Sequence, residues 1–118
     1  SSKNASSISE DEIKKIEAVT ILKAVQKDDV LIALDECGNQ WSSIELATFL
    51  QTKNDENVKN LIFLIGGAYG LHESILNKCT YRWSLSKLVF PHQLVRLILA
   101  EQIYRACTII RNEKYHHS

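Results

Sequence analysis

Two unbroken apolar runs constrain this chain more than anything else in it: Val30-Leu31-Ile32-Ala33-Leu34 and Leu61-Ile62-Phe63-Leu64-Ile65. Each is of strand length. Neither alternates with polar residues, so each predicts a strand buried on both faces, in a parallel sheet covered by helices on both sides. Helix signals stand where such a fold needs them. Ser9 reads as an N-cap with Glu12 as its capping-box partner, and Ile8 and Ile13 as the flanking apolar staple. The helix they open is expected to run to about Gln26, with Asp28-Asp29 breaking it. Ser42 and Glu45 make a second capping box, opening a helix through about Gln51. Strand–helix–strand alternation of this kind is an α/β fold with a parallel sheet.

The remaining segments fill in around that pair. Gly38-Asn39 reads as a loop, and Thr52 to Asn60 as a polar surface connection. Gly66-Gly67 ends the second strand. A short helix is expected over Glu73 to Lys78 and a short third strand over Tyr81 to Leu85. Pro91 sits where a first helical turn tolerates proline, and the helix it opens runs to about Arg111. That helix is apolar on most sides, through Leu94, Val95, Leu97, Ile98, Leu99, Ile103, Tyr104, Ile109 and Ile110. One side can meet the sheet. The other calls for a second subunit, so a homodimer is expected. At 118 residues the chain reads as one domain. A flexible polar lead covers residues 1–8 and the folded domain residues 9–118.

No apolar run approaches the roughly 20 residues of a membrane helix, and the serine-rich start carries no signal-peptide pattern. The three cysteines, Cys37, Cys79 and Cys107, form no CxxC pair. An odd, scattered set reads as free thiols in a reducing compartment rather than a disulfide framework or a zinc site. A cytoplasmic protein without metal or membrane partner is expected. Net charge is zero overall but not locally. Residues 1–77 carry seven Lys/Arg and twelve Asp/Glu, a net −5; residues 78–118 carry seven and two, a net +5. A basic half points to an anionic partner such as nucleic acid. Neutralisation of one half by the other, within the fold or across a dimer, is the plainer account.

Candidate chemistry gathers toward the C-terminus. The run Leu64-Ile65-Gly66-Gly67-Ala68-Tyr69-Gly70 follows a buried strand, at the end where open α/β sheets bind ligands. Without Cβ atoms, Gly66 and Gly67 let backbone amides approach a ligand, and a branched residue at Gly66 would put its Cβ in the ligand's path. The spacing is neither GxGxxG nor a P-loop. Ligand loop and plain tight turn both stay open. Leu85 to Phe90, inside Trp83-Ser84-Leu85-Ser86-Lys87-Leu88-Val89-Phe90-Pro91-His92-Gln93-Leu94-Val95-Arg96, is an apolar strand-to-loop run whose simplest reading is core packing. Arg105, in Glu101-Gln102-Ile103-Tyr104-Arg105-Ala106, reads as an i,i+4 partner of Glu101. Arg96, within an apolar helix, suggests a paired role. Tyr115-His116-His117 closes the chain, and two adjacent histidines without a third ligand make a poor metal site. Asp35 and Glu36 lie at the end of the first run, near the candidate pocket, and a solvated loop is the plainer reading for both.

Taken in order, with their spacing and the Tyr-His tail, these blocks resemble the SPOUT-class ribosomal RNA large subunit methyltransferase H family. The resemblance runs from about Ser9 to the C-terminus and is strongest from Leu61 onward. It implies a SPOUT α/β fold with a C-terminal trefoil knot, in a homodimer. It implies S-adenosylmethionine as cofactor, held by Leu34, Gly66 and the loop of Leu85, Ser86, Lys87, Leu88, Val89 and Phe90. The implied activity is methyl transfer to N3 of a pseudouridine in large-subunit ribosomal RNA, on the RNA or the assembled ribosome. Arg105, Tyr115 and His116 take the catalytic positions, with the tail reaching the partner subunit's pocket. His117 stands where the family often carries a basic residue such as arginine. The family normally begins with a strand, a helix and a second strand, none of which precedes Ser1 here. An N-terminally shortened sheet with an exposed edge is therefore expected. The alternative is a shortened, non-catalytic paralogue that binds nucleotide or RNA. A Rossmann oxidoreductase is disfavoured by the absent GxGxxG.

Overall fold

The computed structural model describes residues 9–67 and 69–112. The elements are α1 (Glu10–Ala24), β1 (Val30–Gln40), α2 (Ser43–Asp55), β2 (Leu61–Ile65), α3 (Glu73–Leu76), β3 (Tyr81–Ser84) and α4 (His92–Ile110). The three strands form one parallel sheet in the order β2-β1-β3. β1 and β2 pair in unbroken register from Val30↔Leu61 to Leu34↔Ile65. Successive residues of β1 face opposite layers. Leu31, with Leu64, Ala18 of α1 and Ile75 of α3, makes one buried cluster. Ile32, with Trp83, Leu46 and Ala47 of α2, and Leu99 and Ala106 of α4, makes the other. The two apolar runs lack alternation because helices cover both of their faces. The lead over residues 1–8 and the Tyr115–His117 tail lie outside the described residues.

The chain moves from β1 through α2 to β2, then returns across β1 through α3 to β3. Right-handed crossovers place their helices on opposite faces when the direction of travel reverses. α2 and α3 do lie in opposite layers. The segments leaving β1 and β2 therefore part to opposite faces, and a crevice opens beyond the carboxyl ends of the strands.

Local signals set most boundaries. The Ser42–Glu45 box is complete: Glu45 N–H donates to Ser42 Oγ at 3.0 Å, and Ser42 N–H to Glu45 Oε1 at 2.7 Å. At Ser9 only half of the box forms, with Glu12 N–H donating to Ser9 Oγ at 3.1 Å. α1 stops at Ala24 rather than Gln26, while α2 passes Gln51 and reaches Asp55. No breaker stands in that extra turn, and side-chain pairs Gln51–Asp55 and Lys53–Glu56, both at 3.0 Å, support it. Pro91 occupies the N-cap of α4 rather than its first turn.

The larger departure concerns Gly38-Asn39. These residues do not end β1; the strand continues to Gln40. Leu34 and Asn39 both pair with Trp83 of β3, and Gln40 pairs with Ser84. Residues 35–38 leave the ladder and return to it, which is an extended form of a β-bulge. Gly38 permits the return. A Cβ there would stand 2.6 Å from the carbonyl carbon and oxygen of Arg82 and 2.8 Å from the Trp83 nitrogen. Backbone cannot yield as a side chain can, so Gly38→Ala is expected to cost about 1–3 kcal/mol. Thermal unfolding followed by circular dichroism should show a drop of about 5 °C or more. An unchanged melting temperature would mean that β1 and β3 do not approach this closely.

Candidate functional site

A cavity of about 810 Å³ lies at the strand ends, within the size range of small-molecule sites, about 300–1,000 Å³. Each strand contributes residues at or beyond the end of its paired segment. Leu34, Asp35 and Glu36 come from β1 where it leaves the ladder; the turn after β2 gives Ile65, Gly66 and Gly67; the loop after β3 gives Leu85, Ser86, Leu88, Val89 and Phe90. His92 and Val95 at the start of α4 close one side. Of the residues the resemblance assigned to cofactor, Leu34, Gly66, Leu85, Ser86, Leu88, Val89 and Phe90 meet around this one cavity. Lys87 is exposed and is not among the lining residues.

Two serines shape the loop after β3. Ser84 Oγ donates to the Ser86 carbonyl at 2.8 Å, and Leu88 N–H donates to Ser86 Oγ at 3.0 Å. The turn after β2 is closed by Gly70 N–H on the Gly67 carbonyl at 3.1 Å, with Gly70 at φ +86°. Gly66 is needed for a reason the sequence did not disclose. A Cβ at Gly66 would meet Gly70 Cα and Leu71 N at 2.7 Å. Its first obstacle is the turn's own backbone.

α3 is clipped in place beside the cavity, which Leu71 and Leu76 also line. His72 Nδ1 accepts from Ser74 N–H at 3.1 Å. Its Nε2 stands 3.5 Å from the Asp11 carboxylate at the start of α1.

The relatives decide the family. A family model described as "Predicted SPOUT methyltransferase" matches residues 1–116. The Ribosomal RNA large subunit methyltransferase H of Parabacteroides distasonis is 45% identical over 115 residues, covering 98% of this chain and 73% of the relative. Proteins of the same name from Cytophaga hutchinsonii and Geotalea daltonii are each 47% identical, covering 93% and 89% of this chain and 71% and 69% of the relatives. The chain belongs to the SPOUT methyltransferase family. The enzyme reading, and the α/β class with a parallel sheet, follow with it.

In this SPOUT methyltransferase the two carboxylates read as solvated in fact line the cavity. Asp35 is half-buried, its Oδ1 accepting the Cys37 N–H at 3.3 Å; Glu36 is exposed at the rim. Their place directly after the first apolar run already sets them near the candidate pocket. Trp83 forms part of the wall and is buried at 3% exposure. Its ring stacks on Trp41 with centroids 5.3 Å apart. Its indole N–H is the one buried side-chain group without a hydrogen-bond partner among the described residues, a cost of about 1–3 kcal/mol.

Arg105 is not among the residues lining the cavity. It pairs with Glu101, Nη2 to Oε2 at 2.8 Å and Nε to Oε2 at 3.1 Å. Arg96 lines a second depression of about 510 Å³ on the other side of the Gly66 turn, with Ile16, Glu17 and Phe63. Tyr115 and His116 lie outside the described residues. Away from the cavity, a hydrogen bond to Tyr81 and another to Glu56 hold the Lys53 ammonium above its usual range. Burial pushes the Cys79 thiol up, against the nearby positive charge of Arg82. Among the described residues no group of three His, Cys, Asp or Glu side chains could hold a metal ion, and no helix is long and apolar enough to cross a membrane.

Proposed function

We propose that this chain transfers a methyl group from S-adenosylmethionine to N3 of a pseudouridine in large-subunit ribosomal RNA. The observation that carries the reading is the cavity at the carboxyl ends of three parallel strands, in a member of the SPOUT methyltransferase family. The name shared by the relatives supports the substrate class. The residues present fit the cofactor. Leu34, Leu85, Val89 and Phe90 offer apolar surface to a nucleobase, the Gly66 turn offers a close backbone, and Asp35 and Glu36 suit a cationic ligand. When bound, the cofactor supplies a methyl group on a positively charged sulfur.

The chain's own work is positioning. Holding N3 in line with that methyl is the kind of alignment that supplies several kcal/mol of rate enhancement. The N3 proton must leave as the new bond forms, and His116 is the candidate base or the group that positions one. Tyr115 suits stacking on a base, and Arg105 contact with the RNA. In this reading the fold carries the C-terminal trefoil knot, the active form is a cytoplasmic homodimer, and each tail completes the partner's site. Incubation with radiolabelled S-adenosylmethionine and ribosomes lacking the modification, followed by mapping of the label, tests the proposal. Label on one pseudouridine of the large-subunit RNA is expected. Tight cofactor binding without label on ribosomes or free RNA would replace the enzyme with a binding module.

A further inference from the structure

We infer that Asp35 and Glu36 make the cavity selective for the charge of the methyl donor over the spent product, an inference that rests on the cofactor reading above. Among the described residues lining the cavity, these two are the only Asp, Glu, Lys or Arg, and His92 is the one base. The local charge is therefore negative, against apolar walls that screen it less than open water does. The carboxylates are placed by the fold. Leu34 is the last residue of β1 in register with β2, so Asp35 is the first to turn away from the ladder, and its Oδ1 is oriented by the Cys37 N–H at 3.3 Å.

S-adenosylmethionine carries an ammonium, a carboxylate and a sulfonium, and so has one net positive charge. In the transfer the bond between sulfur and the methyl carbon breaks, and its electron pair stays on sulfur. The methyl carbon bonds to N3, whose proton passes to the base. The product, S-adenosylhomocysteine, is a neutral thioether with zero net charge. A site with two carboxylates holds the first ligand more tightly than the second, so turnover itself weakens the hold on the product. At separations of several ångström in a partly screened site, each carboxylate is worth about a threefold to tenfold preference.

Titration calorimetry with each ligand tests this on the full chain. Asp35→Asn keeps the oxygen that accepts the Cys37 N–H, and Glu36→Gln changes an exposed side chain, so neither should disturb folding. The double variant is expected to bind S-adenosylmethionine about tenfold or more weakly while its affinity for S-adenosylhomocysteine changes by less than about twofold. Raising the salt concentration should narrow the wild-type preference and leave that of the variant nearly flat. Equal weakening of both ligands would overturn the inference, because the carboxylates would then serve the ammonium that both share. Unchanged affinities would overturn it as well, with the cofactor reading intact. A wild-type chain that binds neither ligand would remove the cofactor reading and this inference together.

Discussion

Alanine at Gly66 is expected to lower methyl transfer about 100-fold or more in a chain that still folds. The added Cβ would stand 2.7 Å from Gly70 Cα and Leu71 N, so the turn beside the cavity must open to admit it. A displacement near one ångström at a positioning loop is enough for a loss of that order. Gly67→Ala is the control. There the new Cβ would meet the Glu17 carboxylate at 2.7 Å, the far end of a flexible side chain that can swing away. Its loss should be much the smaller of the two. Single-turnover transfer rates, with circular dichroism to confirm folding, make the comparison. Equal rates for the Gly66 variant and the wild type would detach the turn from the reaction.

Glutamate at Leu97 is expected to keep the proposed dimer from forming. α4 buries Leu99, Ala106 and Thr108 against the rest of the fold. Its other side leaves Leu94 40%, Leu97 67% and Tyr104 54% exposed, and Leu88 and Val89 just before the helix are 69% and 77% exposed. The exposed Leu94 and Leu97, with Leu88 and Val89, make an apolar face that suits a second subunit. A carboxylate buried at its centre without a counter-charge costs several kcal/mol, which weakens association by two orders of magnitude or more (about 1.4 kcal/mol per tenfold). Light scattering at about ten micromolar should report a dimer for the wild type and a monomer for Leu97→Glu. A wild-type monomer at that concentration would refute the proposed assembly.

The sheet was legible because its strands are marked by composition alone. β2 begins at Leu61 and ends at Ile65, as the apolar run does, and the Ser42–Glu45 box starts α2 where expected. β1 was misjudged at its far end. A Gly-Asn pair normally signals a loop, but here Gly38 serves close packing of β1 on Arg82 and Trp83, and that contact is distant in sequence. Their position after the first run puts Asp35 and Glu36 near the pocket, with a solvated loop as the plainer reading; both line the cavity, Asp35 half-buried and Glu36 exposed at its rim. Gly66 was singled out from the sequence, yet the obstacle at its Cβ position is Gly70 and Leu71, a relation that spacing does not encode. Arg105 shows the opposite case: its pairing with Glu101 is local, at i,i+4, and was read from the sequence directly.

The excursion of β1 between Leu34 and Asn39 also bears on how this scaffold could change length. A residue inserted in or deleted from β2 would shift its register against β1 and send every following side chain to the wrong layer. At residues 35–37, short of the close packing at Gly38, the same event would be absorbed, because the ladder is anchored on each side by its own pairing, Leu34 with Ile65 and Gln40 with Ser84. The cavity wall could therefore lengthen or shorten while both hydrophobic layers kept their partners. Variation in ligand preference can accumulate there without drawing on the stability of the core.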